Sequence, residues 1–178
     1  MDHDLSALLR EWPFDSERLN VRLLELEEGR TVVQVRVELG VLQMERDGRP
    51  DGREDLLVGI EARIAKNADL RIDAQLAADL RAEAVLIHQR YVALLSLEAY
   101  DLVVRDTARN LRLFDLCRDR AVEESDRTVL EQFRPQVVAT RARAEALSRL
   151  REDRVGDARR VLDAAITELR EAVPDGGG

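Results

Sequence analysis

The chain has 178 residues, enough for one domain with a sizeable core, and a formal net charge of −8. This charge argues against a general nucleic-acid or anionic-membrane binder, because phosphate binding needs local positive potential. Aromatic residues make up only 3% of the chain, so we expect a core built from Leu, Val, Ala and Ile. The single cysteine, Cys117, allows no internal disulfide and favours a reducing compartment. The N-terminal residues are acidic where a signal peptide is basic, and no stretch is apolar enough to span a membrane, so we expect a cytoplasmic protein.

Residues 20–39 predict a β-hairpin. Apolar residues in its second half alternate with polar ones at a period of two: Val33, Val35, Val37 and Leu39. Gly29 supplies the turn, and Gly40 predicts a bulge or bend before the second strand continues. Because a lone two-stranded hairpin is marginal in water, its apolar face must rest on the helices or on a second copy of the chain.

The segment "LQMERDGRPDGRED", Leu42–Asp55, separates this hairpin from the helical part. Its Asp-Gly dipeptides favour turns and Pro50 favours an extended residue before it, so the segment is interpreted as a joint. Alternatively, Arg46, Arg49 and Arg53 pair with the acidic helices or bind an outside carboxylate or phosphate. Asp51 is a candidate cap for the first helix. The acids lack the spacing of an EF-hand, and we expect no metal there.

Helical periodicity begins at Glu54. A first helix should end near Asn67, and a longer one should begin at the N-cap Asp73 and end near Leu97. Its apolar stripe has helical spacing: Leu76, Leu80, Ala84, Ile87, Tyr91 and Leu94. Further helices are predicted over about 99–119, 135–151 and 155–173, with "AVEESDR" as a polar connection. Pro135 either restarts or kinks a helix.

These elements predict a mainly α (α+β) fold, with an N-terminal β-hairpin packed on a bundle of antiparallel helical hairpins. We expect an N-terminal segment with hairpin and linker over 1–52, a helical-hairpin domain over 53–173, and a flexible tail over 174–178.

Two helix pairs resemble each other. In the first pair the chain reads "ALLSLEAYDLVVRDTARNL" and in the second "ALSRLREDRVGDARRVLDAAI". Matching positions include Ala93 with Ala146, and Tyr100 with Val155, after a turn that is longer by two residues in the second pair. This arrangement resembles the tetratricopeptide (TPR) family, although neither copy has that family's terminal Pro. The resemblance implies helical hairpins that bind protein partners.

The second pair is also similar to the UVR motif, the helical hairpin of the bacterial repair proteins UvrB and UvrC. Residues at four motif positions carry this similarity: Val155, Ala158, Val161 and Asp163. Gly156 and Leu162 depart from the motif. The hairpin ending in "ELGVLQMERDGRPDG" followed by helices is similar to uncharacterised bacterial proteins that contain this motif. The resemblance implies a protein–protein contact surface, because the motif pairs UvrB with UvrC.

Residues suited to catalysis or metal binding are few and scattered. His3, His88 and Cys117 lie far apart in sequence, and no serine has a nucleophile-elbow motif. We therefore expect no catalytic residue, no cofactor and no metal.

The expected function is that of a non-catalytic interaction or adaptor module whose partner is another protein. The residues expected near the partner are aromatic or basic: Tyr91, Tyr100, Arg141, Arg143 and Arg149.

Two alternatives stay open. A repair accessory protein would associate with nucleic acid through residues 134–160, which contain eight arginines and only four acidic residues. A self-associating protein would form a homodimer through the hairpin edge, sensitive to charge at Val35 and Val37.

Overall fold

The computed structural model describes residues 5–172, which are mainly helical with one small antiparallel sheet. The strands are β1 (Asn20–Glu25), β2 (Thr31–Val37) and β3 (Gly40–Glu45), and a 3-10 turn at Glu27–Gly29 joins the first two. The helices are α1 (Ser6–Glu11), α2 (Leu56–Lys66), α3 (Ala74–Ser96), α4 (Tyr100–Arg120), α5 (Glu124–Thr128), α6 (Arg134–Arg151) and α7 (Val155–Ala172). A second 3-10 turn, Glu131–Phe133, precedes α6.

The predicted hairpin is present, but the sheet has a third strand. Gly29, with φ of 73°, lies in the turn before β2, as expected. Of the bulge or bend predicted at Gly40, the structure shows a full reversal: the chain turns at Glu38 and Leu39, and β3 pairs back on β2 with Val37 opposite Gly40. This two-residue turn has none of the Asn-Gly or Asp-Gly signals that mark a hairpin in sequence. Consequently β2 is the central strand.

One face of the sheet packs on the helices, as predicted. Val33 and Val35 of β2 and Met44 of β3 are buried in one cluster with Ile87, Tyr91 and Leu94 of α3. On the opposite face, Gln34 accepts a hydrogen bond from Arg22 Nε and donates one to Gln43, both at 2.8 Å. The Arg22 guanidinium lies 4.2 Å from the Trp12 ring centroid. Thus the residues after α1 cover the polar face of the sheet.

Helices α2 and α3 begin at capping aspartates. Asp73 accepts a hydrogen bond from Leu76 N at 2.9 Å, and α3 ends at Ser96, close to the predicted bounds. The prediction of Asp51 as a cap is wrong, because Asp55 accepts the bond from Val58 N at 3.0 Å and caps α2. Asp51 instead accepts from Arg53 N within its own turn.

The segment before α6 is more ordered than the predicted polar connection. It contains α5, whose Asp126 is buried and pairs with Arg81 of α3. Pro135 stands in the first turn of α6 and therefore restarts a helix instead of kinking one.

Four helices form a layer of neighbours. Helix α4 packs between α3 and α6, and α6 packs between α4 and α7. The fold class is therefore confirmed: a mainly helical α+β protein with an N-terminal sheet beside the hairpins α3–α4 and α6–α7. The predicted domain boundaries stay predictions, and the tail at 174–178 lies outside the described residues. Across residues 5–172, no helix combines the length and apolar character needed to cross a membrane.

Candidate functional site

A buried ion pair fastens the segment between β3 and α2. Arg90 of α3 and Asp106 of α4 are each 1% exposed, and the guanidinium donates to both carboxylate oxygens at 2.7 and 2.8 Å. Its remaining nitrogen donates to the main-chain oxygens of Glu45 and Gly48, each at 2.8 Å. Such a bidentate pair fixes geometry as well as charge. The segment is thereby held against the α3–α4 hairpin.

A second buried carboxylate holds the start of α2. Glu83 of α3 is fully buried and accepts hydrogen bonds from Leu56 N at 3.0 Å and from Leu57 N at 3.4 Å. It also pairs with Arg49 at 3.1 Å and with Arg109 of α4. An anion beside these amides matches the positive end of the helix dipole. Glu83 therefore joins the segment, α2 and α4 at one point.

Asp55 completes this network. Burial alone would raise its pKa, but hydrogen bonds from Arg109 and Val58 N, together with the Arg109 charge, hold the pKa below its ordinary value. Burial also opposes the charge on Arg109, yet its bonds to Asp55 and Glu83 raise its pKa. Both groups therefore stay charged: Asp55 caps α2, and its pair with Arg109 links α2 to α4.

The three candidate arginines of the segment are used differently. Arg49 is mostly buried and pairs with a helix carboxylate, Glu83, as one interpretation of the sequence proposed. Arg46 pairs with Asp47 at 2.8 Å, and Arg53 lies 3.7 Å from Asp51 and is exposed. The segment connects the sheet to the helices, and the Arg49–Glu83 ion pair holds it against α3.

The two candidate tyrosines belong to the cluster beneath the sheet. Tyr91 is buried, and its hydroxyl lies 2.6 Å from His88 Nδ1. Burial raises its pKa to about 12. Tyr100 is half-buried at the start of α4, with the Arg151 guanidinium 4.4 Å from its ring centroid. Little of Tyr91 is therefore open to a partner in this conformation.

The candidate arginines of α6 differ in their ion pairs. Arg141 pairs with Glu168 of α7 at 3.4 Å, and Arg149 pairs with Glu145 at 3.5 Å. Arg143 is exposed, and no carboxylate of residues 5–172 pairs with it.

The basic region 134–160 is largely neutralised by its neighbours. Within the part of the chain that is described, seven of its eight arginines pair with carboxylates, several of which lie outside the region. Such pairing lowers the local positive potential that a nucleic-acid surface requires.

The titratable groups considered for chemistry lie apart. Cys117 of α4 is buried in the protein core, while His88 lies on α3 and is half-buried. Burial lowers the pKa of His88. His3 lies outside the described residues. Among residues 5–172, no three His, Cys, Asp or Glu side chains are grouped so as to hold a metal ion.

We expect the Cys117 thiol to be inert in the folded chain. Burial raises its pKa to about 11, with a smaller opposing effect from the Arg81 charge. At pH 8 only about one thiol in a thousand would be ionised, and the thiolate is the reactive species. A disulfide reagent should label native Cys117 at least about a hundredfold more slowly than the urea-unfolded chain. Equal rates would contradict this assignment.

A cavity of about 280 Å³ opens between α3, α4 and the segment from α5 to α6. Its buried walls include Ala84, Phe114 and Val137, and the exposed residues Val85 and Phe133 lie at its rim. The cavity is mainly apolar. Its walls come from separate segments with no shared local pattern, so the cavity was not predictable from the sequence.

A line of apolar side chains on α7 is exposed beside the side that packs on α6. Ala158 and Ala165 are buried on the side of α7 that packs on α6. Beside them, Val155, Leu162 and Ile166 are 65%, 43% and 46% exposed. At 3.6 residues per turn, their spacing of seven and four residues places them in one line along the helix. We call these three residues the α7 stripe. The site residues predicted from the sequence do not include them, although their helical spacing is visible there.

No protein-family model matches the chain, and neither a curated protein nor a solved structure matches it significantly. The similarity to the UVR motif and to TPR hairpins therefore rests on the sequence patterns described above.

Proposed function

We propose that the chain is a non-catalytic interaction module that binds a helix of another protein along the α7 stripe. The observation that carries this proposal is the line of exposed apolar side chains on a helix at the edge of the layer. Soluble proteins expose single apolar residues commonly, but an apolar line at helical spacing is typical of helix-in-groove or helix-pair docking.

The packing of α6 and α7 supports this surface as a rigid platform. Ala158 and Ala165 hold the inner face of α7 on α6, and the Arg141–Glu168 ion pair crosses between the two helices. A helix already held in place loses little conformational freedom when a partner docks, which favours affinity.

The charges beside the α7 stripe define the partner further. Arg159 pairs with Asp163 at 3.6 Å, whereas Arg170 is exposed, lies about 60° from the stripe around the helix axis and has no carboxylate partner among residues 5–172. The partner helix should therefore carry an apolar stripe with acidic character on the side that meets Arg170. The resemblance of the α6–α7 hairpin to the UVR motif is consistent with docking of a partner helix. We propose that this interaction takes place in the cytoplasm.

A matched pair of variants tests the proposal in tagged protein purified from its native host. We expect Leu162→Glu with Ile166→Glu to remove a stoichiometric protein partner, because two charges would be desolvated at the contact. Ala164→Glu is the control, since Ala164 is exposed on the opposite side of α7. Partner and bait are identified by mass spectrometry after nuclease treatment, and circular dichroism confirms that each variant folds.

Three outcomes would overturn the proposal. A partner that both variants retain would exclude the α7 stripe, and material lost on nuclease treatment would indicate nucleic-acid association instead. Recovery of the chain alone as a dimer would indicate self-association. The structure places Val35, proposed from sequence as a dimer-edge residue, in the buried central strand, so a dimer would use β1 or β3.

A further inference from the structure

The cavity between α3, α4 and the α5–α6 segment contains a buried acceptor without a partner. Asn110 of α4 lines the cavity and is 2% exposed. Its Nδ2 donates to the main-chain oxygen of Ala84 at 3.0 Å, whereas its Oδ1 has no hydrogen-bond partner among the described residues. Buried carbonyl oxygens are nearly always paired, so an orphaned one beside a cavity is informative.

Three of the other polar residues that line the cavity are paired. The Tyr91 hydroxyl and His88 Nδ1 lie 2.6 Å apart, and the Arg81 guanidinium pairs with Asp126 of α5. Burial disfavours the charged forms of both His88 and Tyr91, as the directions of their pKa shifts show. The cavity interior therefore carries no uncompensated charge. Gln136, the remaining polar residue of the lining, is exposed, so among the described residues Asn110 Oδ1 is the buried acceptor of this cavity without a partner.

We propose that this cavity binds a small neutral molecule with an apolar body and one hydrogen-bond donor, which pairs with Asn110 Oδ1. Apolar protein cavities of about 150 Å³ hold benzene, so about 280 Å³ has room for a two-ring or short branched molecule. The apolar walls contribute affinity and the single acceptor contributes selectivity, as in most small-molecule sites. This site is independent of the α7 stripe.

Indole and indene test the proposal directly on the natural chain. The two molecules have nearly the same shape, but only indole has an N–H donor. Titrations are followed by the methyl resonances of Val85, Val129 and Val137, which line the cavity. We expect indole to bind about three- to tenfold more tightly than indene, the range that a net hydrogen bond supplies. Absence of binding by both, or equal binding, would overturn the proposal.

Three variants test whether the ligands bind in this cavity, so the test does not depend on a single substitution. Asn110→Leu should abolish the preference for indole and leave indene affinity nearly unchanged. Val85→Trp, at the exposed rim, should close the cavity and weaken both ligands at least about tenfold. Val92→Trp is the matched control, because Val92 is exposed on the same helix and does not line the cavity. Equal weakening by both tryptophan variants would contradict the assigned site.

Discussion

Replacing Arg90 by methionine should destabilise the fold by about 3–5 kcal/mol, because it leaves the carboxylate of Asp106 buried with only part of its pairing. Arg105 Nε still donates to Asp106 at 3.0 Å, but the two strongest bonds are lost. The main-chain oxygens of Glu45 and Gly48 also lose their donor. Urea denaturation followed by circular dichroism gives the free energy of unfolding.

Arg112→Met is the control for this substitution. Arg112 and Glu61 form an exposed pair at 2.8 Å, and exposed pairs contribute at most about 1 kcal/mol. The double variant Arg90→Met with Asp106→Leu should recover part of the loss, because the uncompensated charge is then absent. A cost for Arg90→Met no greater than that for Arg112→Met would contradict the role assigned to the buried pair.

Replacing Glu83 by leucine should cost a similar amount, about 3–5 kcal/mol, for a related reason. The carboxylate is the common partner of Arg49, Arg109 and the first amides of α2, Leu56 N and Leu57 N. Its loss leaves buried donors unpaired, and Asp51 and Asp55 compensate only partly. Glu83→Gln should cost less, since the amide oxygen still accepts from Leu56 N.

Hydrogen exchange distinguishes this effect from a loss of packing. In Glu83→Leu the amides of Leu56 and Leu57 should exchange faster than amides in the middle of α3, because the start of α2 opens locally. Glu61→Leu, at the exposed pair, should change the free energy of unfolding by less than about 1 kcal/mol. Unchanged exchange at Leu56 in the Glu83 variant would contradict the proposed joint.

The sequence does contain a signal for this network, and it lies in helix α3 instead of in the segment between β3 and α2. Along α3, Leu80, Glu83, Ile87, Arg90 and Leu94 follow spacings of three and four, so both charged residues fall within the apolar stripe. Charged residues at core spacing are buried only when they are paired. The predicted pairing of the segment's arginines with helix carboxylates is confirmed for Arg49, but the sequence did not identify Glu83 as its partner.

Some features of the fold could be predicted from local sequence patterns and others could not. Helix α3 was predictable because the capping residue Asp73 and the apolar periodicity that extends to Leu94 agree. The third strand was not predictable, since the turn at Glu38 and Leu39 continues the alternation without a turn dipeptide. The cavity around Asn110 depends on tertiary packing of distant segments, which no single stretch encodes.

The most direct test of the proposed function is site-specific photocrosslinking from α7 in the native host. A photoreactive residue at position 162 should join to an apolar position on a helix of one partner protein, with acidic residues beside it. The same residue at position 164 should give no such product, because Ala164 lies on the opposite side of the helix. Identical products from both positions, or none from position 162, would contradict the α7 stripe as the interaction surface.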